Sequence, residues 1–111
     1  LNEIALGSGF AATVDLNSVP WLPGVEQLAA SGYVTGASNR NWVGYVQHVN
    51  MRGVSDVQKA LLTDPQTSGG LLVACAPQAV DDVLAVFRAE GFDRAAVIGR
   101  LVAGRGITVE S

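Results

Sequence analysis

The sequence predicts an α+β fold in α/β/α layers, a mixed sheet with helices packed on it. Three observations carry this prediction. Strand-like and helix-like segments alternate along the chain. The run Leu71–Ala76 is apolar without a break, the mark of a strand buried on both faces. Two β-rich segments close the chain around Ala103-Gly104-Arg105-Gly106, the pattern of a terminal hairpin.

Taken in order, Leu1, Ile4 and Ala5 keep the i, i+3, i+4 spacing of a helix that Gly7 and Gly9 end. Phe10–Leu16 combines apolar and β-branched residues and stops at Asn17-Ser18, so a strand is expected. Pro20, Pro23 and Gly24 punctuate the chain. Pro23 suits the first turn of a helix through Val25, Leu28 and Ala29, with Gly32 as its C-terminal stop. Over residues 33–53, Gly36, Asn39, Asn41, Gly44 and Gly53 break any clean period, which predicts a loop with one helical turn near Trp42–Val49. Ser55 and Gln58 have capping-box spacing, so a helix starts there. It ends by Thr63, because Asp64 precedes Pro65 and is pushed out of the helical region. After the Leu71–Ala76 strand, Pro77 opens a helix carrying Val80, Val83, Leu84 and Phe87 on one face, closed by Gly91. Ala96–Val102 and Ile107–Glu110 read as the last two strands.

The chain has 111 residues, one domain's length, with 49% hydrophobic and only 15% charged residues. An average soluble domain carries about 25% charged residues. The net charge of −3 excludes a nucleic-acid grip built on phosphate neutralisation, and with it a polybasic membrane anchor. No apolar run approaches the roughly 18 residues of a membrane-spanning helix. One cysteine excludes an internal disulfide framework and a Cys-rich zinc site, and a cytoplasmic location is expected. Leu1 falls inside a helical spacing, and no leader pattern precedes it. The chain is therefore expected to be a piece of a larger protein, its shortage of charge reflecting surface that meets a neighbour.

The segment Asp64-Pro65-Gln66-Thr67-Ser68-Gly69-Gly70 places two hydroxyls and two glycines in one loop between a helix and a strand. Glycines let backbone N–H groups converge and a ligand approach closely, which suits an anion. The same composition also makes a plain turn, its hydroxyls capping the chain. It is not a Walker loop, since that spacing and its lysine are absent.

The string Asp64–Leu72 resembles the C-terminal signature of the selenophosphate synthetase (selenide, water dikinase) family. Leu22-Pro23-Gly24-Val25-Glu26-Gln27-Leu28-Ala29 is similar to that family's Leu-Pro-Gly helix. Gly36-Ala37-Ser38-Asn39-Arg40-Asn41 is similar to its Gly-Gly-Thr-x-x-Asn loop, with Ala37 and Ser38 replacing glycine and threonine. The resemblance runs over essentially the whole chain.

The resemblance implies that residues 1–111 form the C-terminal domain of a two-domain enzyme of aminoimidazole ribonucleotide synthetase-like architecture. That enzyme converts selenide, ATP and water to selenophosphate, AMP and phosphate, with Mg²⁺. The partner would be the protein's own N-terminal ATP-binding domain, and the full-length protein a homodimer. The family's nucleophile, lysine and metal-holding aspartates would precede Leu1. No catalytic or metal residue is then expected in this chain, nor ATP or Mg²⁺ bound by it alone. Thr67, Ser68, Gly69 and Gly70, with Asn39, Arg40 and Asn41, are the candidates to hold phosphate or substrate: backbone N–H groups from the first four, a forked donor from Arg40. Two alternatives stand beside this reading. One is a sister ATP-dependent enzyme of the thiamine monophosphate kinase, aminoimidazole ribonucleotide synthetase or hydrogenase-maturation type. The other is a non-enzymatic anion-binding or interaction module.

Other reactive side chains read as structural. Cys75 is expected to be buried as a small hydrophobe in its strand. His48 is expected to play a surface or hydrogen-bonded role, and Lys59 to be solvated. Asp81 and Asp82 are expected to favour a helix N-terminus. Trp21 and Trp42 fit either a core or an interdomain surface.

Overall fold

Strand β1, Phe10–Asp15, organises the molecule. Its alternation turns Ala12 and Val14 to one face, and both are buried there. The computed structural model describes residues 1–111, with further strands β2 (Val49–Arg52), β3 (Gly99–Ala103) and β4 (Ile107–Glu110). They form one mixed sheet in the order β2-β4-β1-β3. β1 and β2 both run parallel to β4, whereas β3 is antiparallel to β1.

The register explains the core. Ala12, Ile107 and Val49 align across three strands, and so do Val14, Val109 and Met51. These two apolar rows share a face with Ala5 and Leu16, and Val19, Trp21, Val54 and Leu62 pack around them. Leu16, at 2% exposure, is the most deeply buried residue. Helix α1 (Asn2–Ser8) supplies Ala5 and hands the chain to β1 through Gly9, whose N–H bonds back to the Ala5 carbonyl. Helices α2 (Val25–Ala30), α3 (Gly36–Tyr45), α4 (Asp56–Leu62) and α5 (Val80–Ala89) follow.

Most element expectations hold. α4 begins with the full capping box: the Gln58 N–H donates to the Ser55 hydroxyl, and the Ser55 N–H donates to the Gln58 side chain. It ends at Leu62 with Thr63 as cap. Gly32 and Gly91 close α2 and α5. Asp81 and Asp82 sit in the first turn of α5.

Five expectations are corrected. The segment 33–53 is not a loop with one turn. It holds the ten-residue α3, a 3₁₀ turn at Val46–His48 and β2. Local propensity is poor in this glycine- and asparagine-rich stretch, but Thr35 caps α3 through its hydroxyl and Ser38 is buried beneath it. Pro23 precedes the α2 N-cap, Gly24, and so lies outside the first turn. The strand expected from Ala96 starts instead at Gly99.

The two remaining corrections concern strand order. β3 and β4 do not form a hairpin, because β1 lies between them. The loop Gly104-Arg105-Gly106 carries the chain around the start of β1, and the Ala12 N–H donates to the Gly106 carbonyl at 2.9 Å. Gly104 and Gly106 adopt φ of 131° and 85°, values that side chains resist. Leu71–Ala76 is not a central strand either: β4 and β1 fill the two interior places, each with both its edges paired. The run is extended but makes no ladder bond, and Leu71 is 81% exposed. Cys75 is accordingly a free, exposed thiol, not a buried one.

Candidate functional site

The residues singled out in the sequence lie where α3, the end of α4 and the following loop converge. Thr35 is the N-cap of α3 because its extended backbone frees its hydroxyl to accept the Ser38 N–H. The same hydroxyl donates to Asp64 Oδ1 at 3.2 Å, and the Ser38 hydroxyl donates to that oxygen at 3.4 Å. One helical turn on, Asn41 Nδ2 donates to the Thr63 carbonyl at 2.8 Å. Asp64 lies just past the α4 cap, held out of helical geometry by Pro65.

The two motif segments, 26 residues apart from Ser38 to Asp64, therefore form one hydrogen-bonded unit. Asp64 places a carboxylate at the N-terminal end of α3, where unpaired N–H groups favour negative charge. That helix end is thus served internally, by a side chain of the same protein.

The loop beyond Asp64 is arranged differently. The Gln66 side chain folds back toward Gly69: a Cβ added there would sit 2.9 Å from Gln66 Oε1, the movable end of that side chain. No backbone N–H from Gln66 to Cys75 donates to another backbone group, and the Thr67 and Ser68 hydroxyls have no protein partner. Thr67 to Gly70 are all exposed. These are free donors in a loop whose N-terminal root is fixed by Asp64.

Of the α3 candidates, Asn41 is engaged with Thr63 and so positions the loop root. Asn39 and Arg40 are not engaged in this way, and Arg40 forms no ion pair. Its guanidinium lies over Gly36, with Nη1 3.9 Å from where a Cβ would stand there. Thr35 and Asp64 were not among the expected site residues. The signal for Thr35 was its spacing to Ser38, an N-cap pattern upstream of Gly36.

The remaining side chains fall outside this cluster. Lys59 is not simply solvated: it pairs with Asp56 at 2.8 Å and lies 5.7 Å from the Trp42 ring centroid, bracing α4 against α3. This ammonium is also the main cause holding the Asp56 carboxyl below the usual range. Asp15 is lowered too, chiefly by the Ser18 hydroxyl and then by the Asn17 N–H. His48 is exposed beside a cleft of about 400 Å³ that it shares with Arg105, Asn50 and Thr108 and with no residue of either motif. Trp21 packs partly buried on the core, and its carbonyl accepts from Arg94. No group of three or more His, Cys, Asp or Glu residues is placed to hold a metal ion.

A larger cavity of about 540 Å³ opens between the sheet and α5. Val80, Val83, Leu84 and Phe87 of α5 line one side, β1 and β3 another, and Leu71–Cys75 a third. Leu1 and Ile4 complete its wall. Apolar side chains are exposed beside the loop and on the first helix: Leu71, Leu72, Val73, Leu1 and Leu6. No helix is long and apolar enough to cross a membrane.

Comparison with known proteins places this geometry in context. The family model described as AIR synthase related protein, C-terminal domain, matches residues 1–111. A protein of Burkholderia ambifaria named "Selenide, water dikinase" is 62% identical over 103 residues, 92% of this chain and 29% of that protein. A protein of the same name from Pseudomonas straminea is 54% identical over the same shares. One from Dechloromonas aromatica is 45% identical over 98% of this chain and 32% of its own length. The chain thus spans about a third or less of these curated relatives.

Proposed function

The chain belongs to the family of AIR synthase related proteins, C-terminal domain, and from that membership we propose that it is the C-terminal domain of a selenide, water dikinase. The whole enzyme would convert selenide, ATP and water to selenophosphate, AMP and phosphate in the cytoplasm. It would work as a homodimer whose N-terminal domain carries the nucleophile and the ATP site. Residues 1–111 would be one domain closing over that site.

The observation that carries the reading is the joint made by Asp64 with Thr35 and Ser38. It ties together two segments that resemble this family and leaves the Thr67–Gly70 donors free beside it. Phosphoryl transfer needs its oxygens positioned and their charge stabilised. Free N–H groups and two hydroxyls suit that task, and Arg40 adds a forked cation able to bind two oxygens at once. Asn41 and Asp64 hold the loop root without touching substrate.

The test uses the full-length protein. Thr67→Ala, Ser68→Ala and Arg40→Ala are each expected to lower kcat/KM for selenophosphate formation about tenfold or more, in line with the loss of one charge-stabilising donor. Unchanged rates in all three overturn the assignment of the loop. The isolated 111-residue chain is expected to show no ATP turnover, and measurable turnover refutes its role as an auxiliary domain.

A further inference from the structure

We propose that the cleft between the start of β2 and the Gly104–Gly106 loop is a second anion site, one that takes a tetrahedral oxyanion such as a phosphate group. The cleft, of about 400 Å³, is lined by His48, Asn50, Arg105, Gly106 and Thr108 among others. It shares no residue with the Thr67–Gly70 loop or with α3. The ten residues of α3, about 15 Å of helix, separate His48 from the joint at Thr35 and Asp64.

The sheet register builds one wall. Ile107 and Val109 turn into the core, so Thr108 between them faces the other side. Asn50 is the register partner of Thr108 and stands on that same side. The glycine loop builds the opposite wall and is held on two flanks. The Ala12 N–H donates to the Gly106 carbonyl, and a Cβ added at Gly106 would stand 3.1 Å from the His48 carbonyl oxygen. The φ of 85° at Gly106 disfavours a side chain there for a second reason. Arg105 is thus presented by a loop whose next residue is fixed, and the cleft exists before any ligand arrives.

The chemistry of the lining selects the ligand. None of the lining residues is acidic, and Arg105 forms no ion pair, although the chain as a whole carries a charge of −3. The one carboxylate of β4, Glu110, lies outside the cleft with Arg52 as its register partner. The backbone N–H groups of Arg105 and Gly106 have no protein partner. A guanidinium, two backbone amides, a carboxamide, a hydroxyl and an imidazole offer more donors than the two oxygens of a carboxylate can accept. A phosphate group accepts them on three or four oxygens, with the guanidinium fork taking two at once.

Arginine modification of the full-length protein, read peptide by peptide by mass spectrometry, tests the site. Inorganic phosphate is expected to slow phenylglyoxal modification of Arg105 about threefold or more, and saturably. Arg88, exposed on α5, is expected to keep its rate. Acetate at the same ionic strength is expected to protect neither. An unprotected Arg105, or equal protection of Arg105 and Arg88, overturns the proposal, and equal protection by acetate overturns the ligand class. Thr108→Val keeps the β-branched shape and removes one donor. It is expected to raise the half-protecting phosphate concentration about tenfold, and an unchanged concentration counts against the cleft. Protection of Arg105 is expected to persist when Thr67→Ala and Ser68→Ala are combined, whether or not those changes slow selenophosphate formation. Its loss there means that Arg105 reports on the other loop, and overturns a separate site.

Discussion

The two halves of this molecule solve the burial problem differently. Around β1 and β4, apolar residues in register across adjacent strands form a small dry core of Ala12, Val14, Leu16, Ile107 and Val109. Between Asp64 and Ile98 no residue is buried, although Leu71–Ala76 and the inner face of α5 are as apolar as the core strands. The difference is one of partners. Each core strand residue has a neighbour fixed by a backbone ladder, whereas Leu71–Ala76 has no ladder and α5 faces a void. Apolar composition makes burial favourable, but only a hydrogen-bonded neighbour lets the backbone share in it.

The sharpest way to break this contrast is to truncate one side chain in each half. Leu16→Ala removes the most buried residue and is expected to lower stability by about 2–5 kcal/mol, whereas Val83→Ala, on the wall of an existing cavity, is expected to cost well under about 1 kcal/mol. Urea unfolding of both variants measures the difference, and equal losses erase the distinction between the halves.

Gly99 marks the seam between them. A Cβ at this position meets the Thr13 carbonyl oxygen, in contact with backbone that cannot turn aside. Gly99→Ala is expected to cost about 1–3 kcal/mol and to free the β3 amides for exchange. If stability is unchanged, β3 is not seated on β1 in the register given above. A smaller effect is expected at the α4 start. Ser55→Ala removes a reciprocal cap and should cost about 1 kcal/mol, visible as a lower urea midpoint with unaltered slope.

The smallest effect is electrostatic. Asp15 and Asp56 are held below their ordinary carboxyl range in the folded state, so each contributes stability above its unfolded value. That contribution is lost as pH falls through the lowered folded values. Both groups are exposed, so screening keeps the effect slight. Asp15→Asn with Asp56→Asn is expected to lower the melting temperature slightly at neutral pH and to leave it nearly unshifted at the lowest pH, so that the acid side of the profile flattens modestly. A steeper acid side in the double variant contradicts the assignment.

Local signals were legible wherever one residue type has one local use. The Ser55–Gln58 cap, the Pro77 start of the α5 segment, the glycine stops and the alternation of β1 were all readable because each depends on a few neighbours in the chain. The Asp64–Gly70 motif and the Gly36–Asn41 segment were readable for the same reason. Their meeting at Asp64 was not, since hydroxyl donors 26 and 29 residues away come to one oxygen only when α3 packs beside α4. Helix α3 was hidden because its stability comes from the Thr35 cap and the burial of Ser38, which offset poor propensity.

By itself, then, the sequence determined the class of fold, the places where most elements begin and end, and the segments that carry the family resemblance. Tertiary structure alone decided strand order. β1 took the central place that the apolar composition of Leu71–Ala76 suggested for that run, and it split the last two strands that a short glycine loop suggested were paired. The physical reason is that hydrophobicity is non-directional and says only that a residue gains by burial. Which strand lies beside which is settled by backbone hydrogen bonds between residues far apart in the chain, and no local pattern encodes them.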